Sequence, residues 1–401
     1  MLPGATVSDP GPSLPMPTAS VLHPLWDRTA EWDRRLAMVR EAKDFLYLST
    51  FYIEYDRYGI EMLAALLEAQ RRGVSVNLLV DSFGQRLGGV LMTAERRRAL
   101  RSQLEALRHA GAIVAVYRPR HYAQRLLGGG QHVKIQVSEA GEAIFGSSNV
   151  TTLSFEGWNE YSVLLRGSVV HTLLESYREI GGQVDGRHLD RLREVGEADS
   201  ACPSPIELEY WLCNPNLLQG RLGPLGWRGP NIVTDEMIAM VQAAHSTIEL
   251  TSFFFKPIPP LMTALIDAAK RGVGVEVYHS HRDALPATDL AWIAAAASYQ
   301  TLLDIGVQVY ENRHGEHSKI VLVDRARVAF GSYNFEDAAH DRLAEAMLVT
   351  RDARAVGPAA AIFDGLRHDS DNSRVTMESL RALPRSVRRR LALYGRFKRW
   401  M

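Results

Sequence analysis

The sequence predicts an α/β fold built from two tandem halves of similar architecture. The first observation is a polar pattern, His-x-Lys followed by Gly-Ser-x-Asn and Glu, which occurs twice at a constant separation of 185 residues. The second is a strand–helix–strand pattern that occupies residues 42–80 and recurs over 244–278. A long repeat indicates two copies of one domain, and strands that alternate with helices are typical of α/β folds.

Each half is predicted to begin with strands that are connected through a helix. In the first half we expect a strand within 42–52, a helix over 60–72 ended by Gly73, and strands over 74–80 and 113–117. The corresponding segments of the second half are 244–254, 260–271 ended by Gly272, 273–278 and 307–310. Proline at a helix start and glycine at its end are the usual boundaries, and a core-facing stripe is predicted at Met262, Leu265, Ile266 and Ala269. Helical connections between strands predict a mostly parallel sheet in each half.

A hairpin is predicted to follow these elements in each half. The first comprises a strand from His132, a turn at residues 139–141, and a strand that ends at Gly146. Residues i and i+2 of a strand face the same side, so His132 and Lys134 are expected to project together. The turn Gly-Ser-x-Asn after the second strand is expected to bring a hydroxyl and an amide near that face.

The repeated residues supply the groups that phosphoryl transfer needs. Lysine, serine and asparagine donate hydrogen bonds to phosphate oxygens, one neutral histidine can attack phosphorus, and a protonated histidine can give its proton to the leaving oxygen. A carboxylate can fix the tautomer of an imidazole. The candidate catalytic residues are His132, Lys134, Asn149, Glu160, His317, Lys319, Asp324, Asn334 and Glu345, and the candidate substrate-binding residues are Ser147 and Ser332. This chemistry requires no metal and no cofactor.

Each element of the pattern has an ordinary structural explanation when it occurs alone. A single His-x-Lys is common, and a single Gly-Ser-x-Asn is usually a turn. Two complete copies in one register favour a working site over a decayed enzyme, because both His-Lys pairs are intact. Both copies lie in one chain, so catalysis needs no dimer, and the sequence leaves the oligomeric state open.

The composition divides the chain into five predicted regions. They are a disordered arm (1–20), a first domain (21–185), a turn-rich linker (186–230) with an extra strand over 207–213, a second domain (231–370) and a basic tail (371–401). The proline-rich start lacks the pattern of a signal peptide. No apolar run reaches the ~18–20 residues of a membrane span, which predicts a protein that is soluble or rests on a surface. Cys202 and Cys213 are interpreted as free thiols of a reducing compartment.

The formal charge is distributed unevenly. Basic and acidic residues balance at 46 each, but eight basic residues and no acidic residue lie from Arg381 onward. The remainder is therefore formally −8, which makes it a poor general binder of nucleic acid. In the tail, Val387, Leu391, Tyr394 and Phe397 lie near one face of a basic helix, a pattern typical of peptides on anionic membranes. The alternative is a basic tail docked on the acidic body.

Two further groups of polar residues allow more than one interpretation. His279 and His281 lie at i and i+2 on a predicted strand and can chelate a metal, but no third ligand is nearby in sequence. Arg118, Arg120 and His121 precede His132 and either reach an anionic substrate or form a solvated loop.

The repeated motif resembles that of the phospholipase D superfamily. His317, Lys319, Asp324 and the run Gly331-Ser-Tyr-Asn match it fully, whereas the first copy has Glu139 at the Asp position. The resemblance implies two α/β/α-sandwich halves with one active site at their interface. It also implies a metal-independent exchange through phospho-histidine, with the first-copy histidine, His132, as the nucleophile and His317 as the acid.

Within the superfamily, residues 25–370 are most similar to bacterial cardiolipin synthases. The similarity rests on the motif pair, the Arg-Gly-Val-x-Val segments that follow the first helix of each half, and Gly157-Trp-Asn-Glu-Tyr. The run Gln131-His-Val-Lys, without the common Arg, and the loop 314–316 depart from the pattern. The resemblance implies a phosphatidyltransferase with a phospholipid substrate and an alcohol or lipid acceptor, cytoplasmic and peripheral on the inner face of the cell membrane through residues 381–401.

Two alternatives remain beside phosphatidyl transfer. A nuclease or other phosphodiesterase can use the same catalytic set, and the acidic body argues against it. A non-catalytic lipid-binding protein is disfavoured by the intact motif residues. The sequence leaves open the head groups and the choice between transfer and hydrolysis.

Overall fold

The computed structural model describes residues 16–199, 203–215, 229–285 and 289–394. The strands of the first half are β1 (Thr18–Ala19), β2 (Val21–Leu25), β3 (Phe45–Thr50), β4 (Ser75–Asp81), β5 (Ile113–Tyr117), β6 (Gly130–Gln131), β7 (Lys134–Ser138), β8 (Glu142–Gly146) and β9 (Ser162–Arg166). Its helices are α1 (Arg28–Glu41), α2 (Arg57–Arg71), α3 (Ser82–Leu91), α4 (Ala94–His109), α5 (Tyr122–Leu126), α6 (Val169–Glu179) and α7 (Gly186–Asp199), with a π-helical turn at Leu153–Gly157.

The second half repeats this arrangement and adds elements at its end. Its strands are β10 (Ile206–Glu207), β11 (Glu209–Cys213), β12 (Thr247–Ser252), β13 (Gly274–Ser280), β14 (Gln308–Asn312), β15 (Ile320–Val323), β16 (Arg327–Gly331), β17 (Leu343–Thr350) and β18 (Asn372–Arg374). Its helices are α8 (Ile232–Gln242), α9 (Pro259–Lys270), α10 (Leu290–Ala296), α11 (Tyr299–Asp304), α12 (Asp337–Asp341), α13 (Ala353–His368), α14 (Met377–Ala382) and α15 (Arg385–Tyr394), with a 3-10 turn at Arg282–Ala284.

The two large sheets have the same strand order. Among the described residues, the first sheet runs β2-β9-β8-β7-β3-β4-β5, and the second runs β11-β17-β16-β15-β12-β13-β14 with β18 added at its edge. Only the β3–β4 and β4–β5 pairs of the first sheet are parallel, and the other pairs on this path are antiparallel. The predicted α/β fold is confirmed, but the prediction of mostly parallel sheets is wrong. The motif hairpins and the strands beside them extend each sheet in antiparallel fashion.

Helices α2 and α9 correspond to the predicted helices of the repeat and end within one residue of the predicted ends. The side chain of Asp56 accepts a hydrogen bond from the amide of Gly59 at the start of α2, and α9 begins with proline. Gly73 and Gly272 follow the two helices with φ of 94° and 92°, values that favour glycine. The core stripe of α9 is shifted by one residue from the prediction, because Leu261, Ala264, Leu265 and Ala268 are its fully buried side chains.

The two halves share one hydrophobic core. Tyr161 of the first half packs edge-on against Phe330 of the second, with ring centroids 5.5 Å apart. The same cluster of buried residues includes side chains from β7, β8 and β9 together with side chains from β15, β16 and β17. In addition, β6 pairs in parallel with β17, so a strand of the first half extends the sheet of the second. This continuous packing fixes the two motif copies relative to each other.

The segment predicted as a linker contains regular structure. Helix α7 occupies its start and packs against α6, while β11 pairs with β17 and so opens the second sheet. The extra strand expected over 207–213 is confirmed by β11 at Glu209–Cys213. Cys213 is a buried free thiol, and Cys202 lies outside the described residues.

The tail packs on the second half where the structure describes it. Val387 is buried and Leu391 is partly buried against the second-half core, and the Arg390 guanidinium lies 2.6 Å from the Asp289 carboxylate. These contacts fit the docked alternative for α15, because they cover apolar side chains that a membrane-bound helix would expose. Residues 395–401, with Phe397 and Trp400, and the predicted arm up to residue 15 lie outside the described residues. Throughout the described ranges, no helix combines the length and apolarity needed to cross a membrane.

Candidate active site

The two motif histidines meet at the interface between the halves. His132 follows β6 and His317 precedes β15, and their ring centroids are 6.4 Å apart. Both rings line one cavity of about 470 Å³, together with Asn149 and Asn334. The structure therefore brings the predicted pair of pockets together as one site.

Reciprocal backbone hydrogen bonds place the two histidines. The His132 amide donates to the Ala344 carbonyl over 2.8 Å, and the His317 amide donates to the Asn159 carbonyl over 2.8 Å. Ala344 and Asn159 are separated by the repeat length, so the two bonds are related by the internal symmetry. Each histidine backbone is thus anchored to the other half.

The buried glutamates hold the histidines in a crossed arrangement. His317 Nδ1 lies 2.7 Å from a carboxylate oxygen of Glu160, and His132 Nδ1 lies 3.2 Å from a carboxylate oxygen of Glu345. Each glutamate comes from the half opposite to its histidine. The predicted carboxylate–imidazole contact is present, and neither ring can be oriented unless both halves are folded together.

The motif serines contact the glutamates instead of lining the cavity. The hydroxyl of Ser147 donates to Glu160 and that of Ser332 donates to Glu345, both over 2.5 Å. Both serines are fully buried. In the structure these hydroxyls orient the carboxylates that contact the histidines, and their role as substrate donors stays a prediction.

The two lysines lie behind the histidines and are fully buried. Lys134 Nζ donates to the His132 carbonyl over 2.6 Å, and Lys319 Nζ donates to the His317 carbonyl. Burial and the facing Lys319 lower the pKa of Lys134 well below its usual value, and burial lowers the pKa of Lys319 to about 8. An anion that enters between them would favour their charged forms.

The electrostatic environments of the two histidine–glutamate pairs differ. Burial alone would raise the pKa of Glu160, but His317, Lys319 and Ser147 outweigh it and lower the pKa to about 2. Burial raises the pKa of Glu345 to about 8. Burial and the nearby lysines lower the pKa of both histidines, that of His317 to about 3. Glu160 therefore lies in surroundings that favour its ionised form, whereas burial favours the protonated form of Glu345.

Glycine is required at the start of each Gly-Ser-x-Asn turn. A Cβ atom on Gly331 would overlap the carbonyl oxygen of Ala346, and one on Gly146 would overlap that of Tyr161. We expect Gly331→Ala to lower the free energy of unfolding by about 1–3 kcal/mol, because the overlapping atoms belong to the adjacent strand backbone. Chemical denaturation monitored by circular dichroism measures this change.

A matched control for that prediction is Gly365→Ala on the exposed face of α13, where a Cβ meets no atom within 4 Å. This variant is expected to be as stable as the parent or up to about 1 kcal/mol more stable. Equal stability of both variants would contradict the close approach at Gly331.

Asp324 is not among the residues that line the cavity, so the structure does not bring this candidate together with the other motif residues. It directly follows β15, whereas Lys319 directly precedes that strand. Its carboxylate accepts hydrogen bonds from the backbone amides of residues 245, 246 and 247, over 2.9, 2.7 and 2.9 Å. Glu139 accepts a hydrogen bond from the Lys43 amide over 2.7 Å at the corresponding place in the first half. The acidic residue of each motif copy, Glu139 or Asp324, thus binds the backbone at the start of β3 or β12. Glutamate can make this contact in the first copy.

Several cavity residues escaped the sequence analysis. Phe51 packs edge-on against His132 at 4.8 Å, Phe253 packs edge-on against His317 at 4.9 Å, and Trp158 stacks on His317 at 4.9 Å. Phe51 and Phe253 directly follow β3 and β12, at equivalent positions of the repeat. This equivalence could have identified them in the sequence. Lys256 and Glu336 line the cavity as an ion pair at 3.9 Å, and no repeated pattern marks them.

The remaining polar candidates lie outside the cavity. His279 Nε2 forms a hydrogen bond with the Tyr299 hydroxyl, which itself donates to Glu311. Within the described ranges, no cluster of three or more His, Cys, Asp or Glu has the arrangement of a metal site. Arg118, Arg120 and His121 are exposed, and Arg118 lines a separate groove.

Comparison with known proteins identifies the family. The family profile described as "Cardiolipin synthase, PLD-like domain" matches residues 36–179 and 237–367. The chain is 25% identical over 310 residues to the cardiolipin synthase of Geobacillus kaustophilus, covering 75% of this chain and 57% of that protein. It is 26% identical over 324 residues to cardiolipin synthase B of Escherichia coli, covering 78% of this chain and 72% of that protein. The chain thus spans little more than half the length of the Geobacillus relative.

A solved structure shares the fold over almost the whole chain. Phosphatidylserine synthase of Haemophilus influenzae superposes with a TM-score of 0.70, covers 96% of both chains and is 13% identical. At this identity the similarity concerns the fold alone. Because the family profile matches both halves and more than half of the chain, the protein belongs to the family of phospholipase D-like domains of the cardiolipin synthase type.

Proposed function

We propose that this protein is a phosphatidyltransferase of the cardiolipin synthase type, which acts on phospholipid phosphodiesters through a phospho-histidine intermediate. The observation that carries the proposal is the crossed site, in which two histidines from different halves face one cavity and each is held at Nδ1 by a glutamate of the other half. An Nδ1 contact leaves Nε2, on the other edge of each ring, for chemistry on a substrate.

In the first step the lone pair of His132 Nε2 attacks phosphorus and forms a P–N bond. The P–O bond to the leaving alcohol breaks, and a protonated His317 gives its Nε2 proton to the departing oxygen. In the second step the hydroxyl oxygen of the acceptor attacks phosphorus, its proton passes to His317, and the P–N bond breaks. Atoms and charge balance over the two steps, and both imidazoles return to their starting states.

The surroundings of the histidines support these roles. The Ser332 carbonyl oxygen lies 3.0 Å from His132 Nδ1 and can only accept, so that nitrogen carries the hydrogen and Nε2 holds the free lone pair. Glu160 is ionised beneath His317 and stabilises its protonated form. The negative charge of a bound phosphodiester adds to that effect. His132 is accordingly the nucleophile and His317 the acid.

The other motif residues act on the phosphate. Lys134 and Lys319 lie buried behind the histidines, where the charge of a bound phosphate favours their protonated forms. Asn149 and Asn334 line the cavity with amide donors. Side chains that oppose charge on the equatorial oxygens lower the barrier in a buried site. Since every proton and charge is assigned to a side chain, turnover is expected to persist in EDTA.

The cavity lining favours a lipid over a nucleic acid as the substrate. Beyond the catalytic groups, its walls are largely aromatic and aliphatic, with Phe51, Phe83, Leu87, Leu91 and Phe253 among them. Apolar walls suit acyl chains and glycerol carbons, whereas a strand of nucleic acid needs positive charge along its path. The Lys256–Glu336 pair at one side supplies polar contacts for a head group or an acceptor hydroxyl.

Mass spectrometry of the lipids formed from phosphatidylglycerol, glycerol and phosphatidylethanolamine in EDTA tests the proposal. New cardiolipin or an exchanged head group is expected. Formation of phosphatidic acid alone would show that the protein hydrolyses phospholipids and does not transfer the phosphatidyl group. Unchanged lipid together with cleavage of an oligonucleotide would favour the nuclease alternative.

A further inference from the structure

A second cavity lies on the first half, outside the catalytic site. It is a groove of about 930 Å³ between α3, α4, the end of β5 and α5. Residues from α3 line both cavities, since Gln85, Arg86 and Gly89 face the groove while Leu87 and Gly88 face the catalytic cavity. We call this feature the arginine groove, after the basic side chains along it.

The arginine groove carries an excess of positive charge. In the described part of the chain, its lining includes six arginines and one acidic residue, namely Arg86, Arg97, Arg101, Arg108, Arg118, Arg125 and Glu105. Glu105 is paired with Arg108. Arg97 and Arg125 donate to backbone carbonyls. Arg86, Arg101 and Arg118 are exposed and have no ion-pair partner among the described residues. All three guanidinium groups are exposed and can bind anions, and that of Arg86 also lies over the Phe83 ring, 5.6 Å from its centroid.

Exposed apolar side chains surround the same arginines. Val90 is 72% exposed and Leu126 is 68% exposed, and both line the groove. Neighbouring large apolar side chains in the described part of the chain are also exposed, namely Leu87, Ile113, Val116, Tyr122 and Leu127. A concentration of bare apolar surface beside positive charge marks an interaction surface and not an ordinary solvated face.

The groove and the catalytic cavity are adjacent. Val90 lines both of them. The chain after α5 passes from one to the other, because Leu126 lines the groove and Leu127 lines the catalytic cavity. A molecule or surface held at the groove therefore lies beside the entrance through which a substrate reaches the histidines.

We propose that the arginine groove binds the head groups of anionic phospholipids in a bilayer, with Val90 and Leu126 inserted among the acyl chains. This contact would hold the mouth of the catalytic cavity against the lipid surface. The functional purpose of this contact rests on the proposed phospholipid chemistry, but the binding experiment does not depend on turnover. The proposal also assigns membrane contact to the first half, while Val387 and Leu391 of α15 pack against the core of the second half.

The composition of the groove favours lipid over nucleic acid. Guanidinium groups bind the phosphates of lipids and of nucleic acids alike. Grooves for single-stranded nucleic acid, however, combine positive charge with aromatic side chains on which bases stack. No Phe, Tyr or Trp is among the described residues that line this groove, and the exposed apolar groups of the lining are aliphatic; the exposed Tyr122 of α5 is not part of the lining. Aliphatic groups between arginines match an interface of phosphates and acyl chains.

Vesicle co-sedimentation of the full chain tests the proposal. The variant combines Arg86→Gln, Arg101→Gln and Arg118→Gln, and the vesicles are phosphatidylcholine with or without phosphatidylglycerol. The parent is expected to bind the phosphatidylglycerol vesicles, and the variant is expected to bind them on the order of 100-fold more weakly, since each surface cation contributes to the attraction. Leu126→Glu is expected to weaken the same binding.

The matched control removes the same charge from another face through Arg187→Gln, Arg191→Gln and Arg193→Gln on α7. It is expected to bind within about twofold of the parent. Equal binding by the groove variant and the parent would overturn the proposal, as would a parent that does not bind anionic vesicles. Loss of oligonucleotide binding in the groove variant, with vesicle binding unchanged, would assign the groove to nucleic acid.

Turnover of detergent-dispersed phospholipid separates this inference from the proposed function. The groove variants are expected to keep parental turnover there, because the altered residues do not line the catalytic cavity. If the parent itself turns over no phospholipid in detergent, the proposed function fails, and the vesicle result still decides whether the groove binds anionic lipid.

Discussion

His132→Ala is expected to lower phosphatidyl transfer by at least about 10³-fold, because it removes the atom that forms the P–N bond. His317→Ala is expected to lower transfer between natural lipids by about 10²–10⁴-fold, since the leaving oxygen then departs without a proton. Radiolabelled lipid exchange in detergent measures both. His109→Ala, on the exposed surface of α4, is the control and is expected to keep parental activity.

The two histidine variants are expected to differ with an activated substrate. The aryl oxide of an aryl phosphodiester departs without protonation, so His317→Ala should retain its first step on that substrate and accumulate the remaining alkyl phosphoryl group on His132 Nε2. His132→Ala should form no such adduct. Intact-protein mass spectrometry after acid-free quenching detects it. An adduct on His317 in the His132→Ala variant would reverse the roles, and parental turnover in either variant would remove the two-histidine scheme.

Glu160→Gln and Glu345→Gln are expected to have unequal effects on turnover. Glu160 is ionised beneath His317, with a pKa of about 2, so the amide removes a charge and activity should fall about 10–100-fold. Burial raises the pKa of Glu345 to about 8, so at pH 7 the amide replaces a carboxyl that is already mostly protonated. We expect Glu345→Gln to lose less than about fivefold. Equal losses would contradict the electrostatic difference between the two pairs.

The pH dependence gives Glu160 a signature that a structural role would lack. Burial lowers the pKa of His317, whereas Glu160 raises it. An acid catalyst acts only while protonated, so activity falls as the pH rises through its pKa in the substrate complex. Removing Glu160 lowers that pKa and should move the alkaline limb of kcat to lower pH. The Glu345→Gln profile should keep the parental alkaline limb. Measurements of kcat across the pH range for the parent and both variants test these two expected profiles.

The sequence predicted much of the candidate site because the positions of its residues depend on local backbone geometry. The positions of His132, Lys134, Gly146 and Asn149 depend on a hairpin and a turn whose signals lie within a short stretch of sequence. The duplication showed that a second set existed at His317 and beyond. The position of Asp324 outside the cavity was not visible in the sequence, because motif membership does not distinguish a residue that touches substrate from one that secures a strand.

Interactions between elements were less accessible to sequence patterns. Parallel and antiparallel pairing depends on where a strand is inserted in the sheet, so the helical connections alone misled the prediction of a mostly parallel sheet. The apolar side of α15 was visible in the sequence, but whether a membrane or the protein covers it depended on the position of α10. The arginine groove combines residues from several elements and has no contiguous signature.

The sequence by itself determined the two-half α/β architecture, the reactive side chains and their duplication, because periodicity and exact spacing are properties of the chain alone. Only the tertiary structure decided that Glu345 holds His132 and Glu160 holds His317, that the motif serines orient these glutamates, and that the pKa of Glu160 is lowered while that of Glu345 is raised. The physical reason is that these contacts and pKa values arise where two separately encoded halves share one buried core. Burial, which sets the cost of charge, exists only after the halves have packed.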